Sequence, residues 1–317
     1  MASEHSHAPA LSPDADRRPL VAALALIVAF MAGEVVVGVL ASSLALLSDA
    51  AHMLTDAASI ALALIAMRHS ARPPRGSYTY GLRRVEILSA QANGLTLLLL
   101  AAWLGYEAVR RLIEPPQVDG ALVLGTALVG VAVNVVATVL IGRANRTSLN
   151  IRGAYQHILT DLYAFIATAV AGAVLLLTGF DRADGIATLV VVALMAKAGI
   201  GLLRDSARIF LEAAPAGTDT GALGDRLAGC PGVAEVHDLH LWTITSGEPA
   251  MSAHVLVRPG YDCHGVRREM ERLLREDYRV DHSTLQVDHA AGRAVPATEP
   301  YCERSHGPVH RPGGDRP

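Results

Sequence analysis

Apolar residues fill the first two thirds of the chain in six blocks separated by short polar stretches. The blocks run Leu20–Ala41, Leu44–Met67, Ile87–Val109, Ala121–Ile141, Ala154–Thr178 and Ile186–Leu203. A helix rising about 1.5 Å per residue needs about 20 residues to cross about 30 Å of hydrocarbon, so each block predicts a membrane-spanning helix. Only Ser42 and Ser43 separate the first two blocks, which therefore predict a tight antiparallel hairpin. Beyond Leu203 the pattern changes. Residues 218–229 read as a helix stopped by Gly229 and Pro231-Gly232. Val233–Ile244 and Pro249–Val257 alternate apolar and polar side chains around Ser-Gly-Glu, the mark of a hairpin. An amphipathic helix over 263–279 and a third strand at Ser283–His289 follow. The order α-β-β-α-β predicts a small ferredoxin-like α+β domain with its helices on one face of the sheet.

The predicted fold is thus an α-helical membrane protein with a C-terminal α+β domain. Its expected parts are a disordered cytoplasmic tail (1–19), a six-helix transmembrane domain (20–203), a connector (204–217), a cytoplasmic α+β domain (218–292) and a second disordered tail (293–317). Composition agrees: 51% of the 317 residues are hydrophobic and 18% charged, and the mean hydropathy is +0.34. The first 19 residues, with His5 and His7, have no apolar core and do not read as a signal peptide. A net charge of −3 gives no sign of a nucleic-acid partner. The three cysteines, Cys230, Cys263 and Cys302, form no Cys-x-x-Cys and fit a reducing compartment.

Arginines fix the expected orientation. Arg68, Arg72, Arg75, Arg83 and Arg84 follow the second block, and Arg143, Arg146 and Arg152 follow the fourth. The opposite loops carry Arg110, Arg111 and Arg182 alongside Glu114, Asp119, Asp181 and Asp184. This bias puts both termini in the cytoplasm of a multi-pass inner (plasma) membrane protein.

Against that apolar background, the segment Ser48-Asp-Ala-Ala-His-Met-Leu-Thr-Asp56 stands out. His52 and Asp56 are four residues apart, so on a helix they share one face, and the spacing recurs in His157 and Asp161. A charge at the centre of a membrane helix costs on the order of 2.5–3.5 kcal/mol on insertion scales, so both aspartates need a compensating partner. Two imidazoles and two carboxylates make a tetrahedral N2O2 set suited to Zn2+, with Co2+ and Cd2+ as further candidates. The same groups bind protons, so metal and protons compete for them. The bland alternative is that the pairs are polar contacts holding helices together. Asp49, nearer the non-cytoplasmic end, reads as an exit-path residue or a cap. A fifth helix starting near Ser148 would put Asp161 near mid-bilayer, level with Asp56.

Five stretches carry a family resemblance: Gly33-Glu-Val-Val-Val, Ser43–Asp56, Tyr78-Thr-Tyr-Gly-Leu-Arg-Arg-Val-Glu-Ile-Leu88, Ser148-Leu-Asn-Ile-Arg-Gly-Ala154 and His157-x-x-x-Asp161. With them the chain resembles the cation diffusion facilitators, in their zinc-exporting (zinc/cadmium/cobalt) branch. The resemblance implies a homodimer in the lipid bilayer that exchanges Zn2+ for protons by alternating access. The family's transport site falls on His52, Asp56, His157 and Asp161, and His52 in place of an Asp favours zinc. A second site of some members would fall on Arg75, Tyr78 and Leu82 and is expected to be absent, with His69 only nearby. The His-rich loop of many eukaryotic members is replaced by Gly142–Thr147. Arg84 and Glu212 match a charge interlock near the dimer axis. In the cytoplasmic domain His237, His254, His264 and Asp288 fall where members bind regulatory metal; His240 and His289 stand in reserve, and the tail residues His306 and His310 rank after them. Metal there would tighten the dimer and bias the membrane halves. The alternative to an exporter is a non-transporting membrane zinc sensor. An enzyme is not expected, since the chain has no His-Glu-x-x-His.

Overall fold

Six helices follow from the six apolar blocks: α1 Pro13–Leu40, α2 Leu44–Ser70, α3 Val85–Ile113, α4 Gly120–Gly142, α5 Leu149–Thr178 and α6 Ala183–Phe210. The structure, a computed structural model, describes residues 13–40, 44–114, 120–144, 148–180, 182–290 and 307–313, with some side chains inside α1, α2, α4 and α6 excepted. It divides into two units, 1–207 and 208–317. Several helices outrun their apolar blocks. α1 begins at Pro13, a residue whose missing N–H costs nothing in a first turn. α6 continues to Phe210, through Arg204, Asp205 and Arg208, where a connector from 204 was expected. Hydropathy marks where a helix leaves lipid; polar residues with good helix propensity carry it further.

Among the described residues four helical stretches are long and apolar enough to cross a membrane: Val85–Ile113, Leu124–Gly142, Leu149–Thr178 and Gly185–Phe210. α1 and α2, at 28 and 27 residues, each reach about 40 Å. Large apolar side chains such as Leu99, Trp103, Tyr106, Val170 and Leu177 point outward, as they do when the surrounding solvent is lipid.

Two apolar clusters hold the helices. One joins Leu20 and Ile27 of α1, Met53 and Ile60 of α2, Ile141 of α4, and Ile151 and Ile158 of α5. The other joins Leu97 of α3 to Val191, Met195 and Leu202 of α6, with Ala164 and Ala167 of α5 against it. α5 therefore belongs to both. Where α3 and α6 cross, a Cβ on Gly199 would lie 2.9 Å from the Gly94 carbonyl oxygen. Only glycine allows that approach, and close backbone packing is what associates helices in lipid.

The second unit is built from α7 Thr220–Ala228, β1 Val233–Thr245, β2 Glu248–Val257, α8 Cys263–Tyr278 and β3 His282–His289. Asp219 and Asp262 cap α7 and α8, their carboxylates accepting from the N–H groups of Ala222 and His264. β1 and β2 pair antiparallel across Ser246-Gly247, and β3 joins β2 in parallel, giving the order β1-β2-β3. Leu223 and Leu227 of α7 and Val266, Met270 and Leu274 of α8 pack with Val236, Met251, Val255 and Leu285 on one sheet face. His237 and His254 are register partners on the other face.

The tail departs from expectation. Residues 293–317 read as disordered, yet within 307–313 His310 pairs with Val236 of β1 through both backbone bonds, N–H to O at 2.9 and 2.8 Å. β1 is a sheet edge with backbone groups free to pair, and a bridge one residue long leaves no periodicity to read.

A branched side chain at the α3–α6 crossing, Gly199→Val, is expected to lower stability by about 1–3 kcal/mol through overpacking. Gly201→Ala, where an added Cβ meets nothing within 4 Å, is expected to be close to neutral. Thermal unfolding in detergent compares the two.

Candidate metal centres

The N-terminal half of α5 is polar on its inward face. Ser148 starts the helix, its hydroxyl accepting from the Ile151 N–H and donating to Glu86 Oε2 of α3 at 3.4 Å. One turn on, Arg152 pairs with Asp205 of α6 at 2.7 Å. Asn150, fully buried, donates from Nδ2 to the Ala63 carbonyl of α2 at 2.8 Å. This end of α5 is thus tied to α2, α3 and α6. Two and three turns in, at 3.6 residues per turn, His157 and Asp161 are 1% and 3% exposed, with His157 Nε2 3.9 Å from Asp161 Oδ2. Thr160, Ser89 and Asn93 are buried as well.

His52 and Asp56 lie on α2 one turn apart, and Asp49 a turn earlier; the side chains of all three lie outside the described residues. Their neighbours Met53, Ala57, Ile60 and Ala63 are buried in the cluster that also holds Ile151, Ala154 and Ile158 of α5. Arg84 occupies the N-cap position of α3. Glu212 follows α6 with a left-handed φ of 56° and belongs to the second unit. In the loop before α3, Arg75 and Tyr78 close a tight turn on each other's backbone.

In the second unit His237, Asp238 and His254 form a group whose ligand atoms all lie within 4.8 Å of one another. The two rings meet edge to face at 5.4 Å between centroids. His254 Nδ1 is 3.4 Å from Asp238 Oδ2. His237 Nδ1 is 3.2 Å from Glu235 Oε1, at an angle that makes no hydrogen bond. Of the expected cytoplasmic ligands, His237 and His254 come together. His264 does not join them: it is exposed at the start of α8, which packs on the opposite face. Asp288 is exposed on β3, accepting from Gln286 Nε2 at 3.0 Å. His240 and His289 are exposed too, and His306 lies outside the described residues.

Asp238 was not foreseen. Strand alternation assigns residues 237 and 238 to opposite faces, but β1 is irregular between His237 and His240, and Asp238 has a φ of 50°. A bulge re-aims a side chain in this way, and Asp tolerates the left-handed region better than most residues. Cys230 is a poor ligand candidate: burial, and then the nearby Glu269, push its thiol pKa up, which keeps it protonated.

Residues 20–211 match the cation efflux transmembrane domain, and residues 215–290 match the cytoplasmic domain of cation efflux proteins. The chain belongs to the cation efflux family. This cation efflux protein is 33% identical over 296 residues to a cadmium, cobalt and zinc/H(+)-K(+) antiporter of Bacillus velezensis, covering 92% of this chain and 93% of that one. It is 33% identical over 310 residues to the zinc transporter ZitB of Escherichia coli, covering 97% of each. Against the metal cation efflux system protein CzcD of Cupriavidus metallidurans, identity is 34% over 306 residues, with 95% of each covered. A multi-pass membrane protein of this family accounts for the apolar helices and the C-terminal α+β unit together.

In this cation efflux protein Asn150→Ala removes a buried bond between α5 and α2. The expected cost is about 1–3 kcal/mol of stability. Thermal unfolding of the detergent-solubilised variant measures it.

Proposed function

We propose that this cation efflux protein exports Zn2+ from the cytoplasm in exchange for protons. In this reading it crosses the inner (plasma) membrane six times with both termini cytoplasmic, works as a homodimer by alternating access, and catalyses no covalent step. His52, Asp56, His157 and Asp161 hold the ion, and Cd2+ and Co2+ are further substrates. The divisions at 20–203 and 218–292 serve transport and metal sensing. The relatives named for zinc, cadmium and cobalt transport, and the one named an antiporter, support the substrate and the exchange.

One observation carries the ligand assignment: the buried His157–Asp161 step on a helix anchored to α2. α2 and α5 are separated by three reversals of a six-span chain and so run antiparallel. From the Asn150–Ala63 bond, seven residues along α5 reach His157, and seven back along α2 reach Asp56. Eleven residues reach Asp161 and His52 in the same way. A shared rise of 1.5 Å per residue therefore puts the two pairs at matching levels, about 10 Å and about 16 Å beyond the anchor.

Neutral histidines and ionised aspartates give this set two negative charges, which one divalent cation cancels. Two protons cancel them equally. Either load makes the cluster compatible with an apolar interior, while the empty, charged cluster is costly. Exchange follows, because each state of low cost carries one cargo or the other. Asp49 serves the exit path, Arg84 and Glu212 interlock near the dimer axis, and His237 with His254 senses cytoplasmic metal.

His52→Ala and Asp161→Ala are each expected to abolish zinc uptake into proteoliposomes while leaving a folded protein. In the unsubstituted protein, zinc entry should raise the internal pH reported by a trapped dye. Normal flux in either variant would refute the ligand assignment. Zinc binding without any flux in the unsubstituted protein would favour a sensor.

A further inference from the structure

The loop between α2 and α3 concentrates one sign of charge. Between Asp56 and Glu86 the chain has no acidic residue, while Arg68, Arg72, Arg75, Arg83 and Arg84 all fall there. At the other end of α3 the arginines are neutralised within a turn: Arg110 and Arg111 both pair with Glu107, at 3.4 and 3.7 Å. Arg68, Arg72, Arg75 and Arg83 are exposed, as are Tyr78 and Tyr80 among them. A surface so charged repels a metal ion and attracts an anion.

The loop is folded on itself. Arg75 and Tyr78 exchange both backbone bonds, at 3.3 and 3.1 Å, and Gly76 between them has a left-handed φ of 55°. The Gly81 N–H donates to the Tyr78 carbonyl at 2.9 Å. A Cβ on Gly81 would stand 3.0 Å from the Arg72 carbonyl oxygen, so the returning chain lies against the outgoing one. Pro73 and Pro74 stiffen the outgoing stretch. The arginines are thus presented from a compact turn, which lowers the ordering cost of binding. Exposed apolar side chains adjoin them on both helices. Ile65, 54% exposed, is one turn before Arg68, and Leu88, 53% exposed, is one turn after Arg84.

We propose that this loop is a binding surface for anionic phospholipid headgroups of the bilayer it borders. It rests on the six-span reading, in which α2 and α3 leave the hydrocarbon at the two ends of the loop. Guanidinium groups grip phosphate oxygens through paired N–H donors, and exposed tyrosines settle at the headgroup level of a membrane. A headgroup with a net negative charge is drawn to such a surface, whereas a zwitterionic one brings a cation of its own. Bound headgroups tie the ends of α2 and α3 to one depth, and α2 is the helix of His52 and Asp56.

Native mass spectrometry of the detergent-solubilised full chain, titrated with phosphatidylglycerol or phosphatidylcholine, tests this. Phosphatidylglycerol is expected to bind about tenfold more tightly or better. Arg72→Gln and Arg75→Gln should each weaken it about fivefold and leave phosphatidylcholine unaffected. Arg75→Lys should keep part of the preference, since a point charge lacks the planar fork. Arg110→Gln, at the far end of α3, should change nothing. An unaltered lipid preference in Arg72→Gln and Arg75→Gln would overturn the surface, and so would displacement of the lipid by an equal concentration of inorganic phosphate. The six-span reading has a readout of its own. In phosphatidylcholine vesicles, Tyr78→Trp should lose fluorescence to lipid chains brominated near the headgroup. No quenching beyond that of the unsubstituted protein would remove the loop from the membrane boundary, and the proposal with it; quenching without a phosphatidylglycerol preference would leave the spans standing and sink the headgroup surface alone.

Discussion

An aspartate inside a bundle of apolar helices is the constraint from which the membrane unit follows. Asp161 is 3% exposed, one turn from a His157 that is 1% exposed. Water cannot screen a charge there, so the surroundings must present either an opposite charge or a proton. Among the described residues, the helix that carries the pair is braced from several sides. It shares one apolar cluster with α1, α2 and α4 and another with α3 and α6. Its polar bonds to Glu86, Ala63 and Asp205 reach three neighbours within two turns. Such bracing sets α5 in register with its neighbours, which matters because a slip of one residue turns a side chain by about 100° around the axis.

The second unit solves a related problem with different means. Its helices and the inner sheet face bury Val236, Met251, Val255, Met270 and Leu274, which leaves the outer face for chemistry. An irregular β1 turns Asp238 toward the two register-paired histidines. Glu235, two residues before His237, connects that group to the docked tail. The His237–Asp238–His254 group, a sheet edge and the 307–313 segment therefore meet on one strand.

Both units set imidazole beside carboxylate, in different settings. In the membrane unit the low dielectric makes an uncompensated charge costly. On the half-exposed sheet face, His254 is 32% exposed, and water can satisfy the groups when metal is scarce. In the proposed function, that contrast suits the first group to carrying an ion and the second to reporting its concentration.

The sequence by itself determined the apolar blocks, the α-β-β-α-β order and the repeated His-x-x-x-Asp spacing, because each is a periodicity of one local element. Ser148 as the start of α5 was legible too, since a cap needs only its own helix. What only the tertiary structure decided depends on neighbours distant in the chain. Asn150 reaches Ala63 across 87 positions, and Gly94 meets Gly199 because two helices cross there. Asp238 joins the histidines through a bulge that breaks the strand's period, whereas His264 is carried to the far face with α8. The docked tail is the clearest case. His310 reads as one polar residue among many until the edge of β1, the notch over Gly224 and the carboxylates of Asp225 and Glu235 converge on its segment.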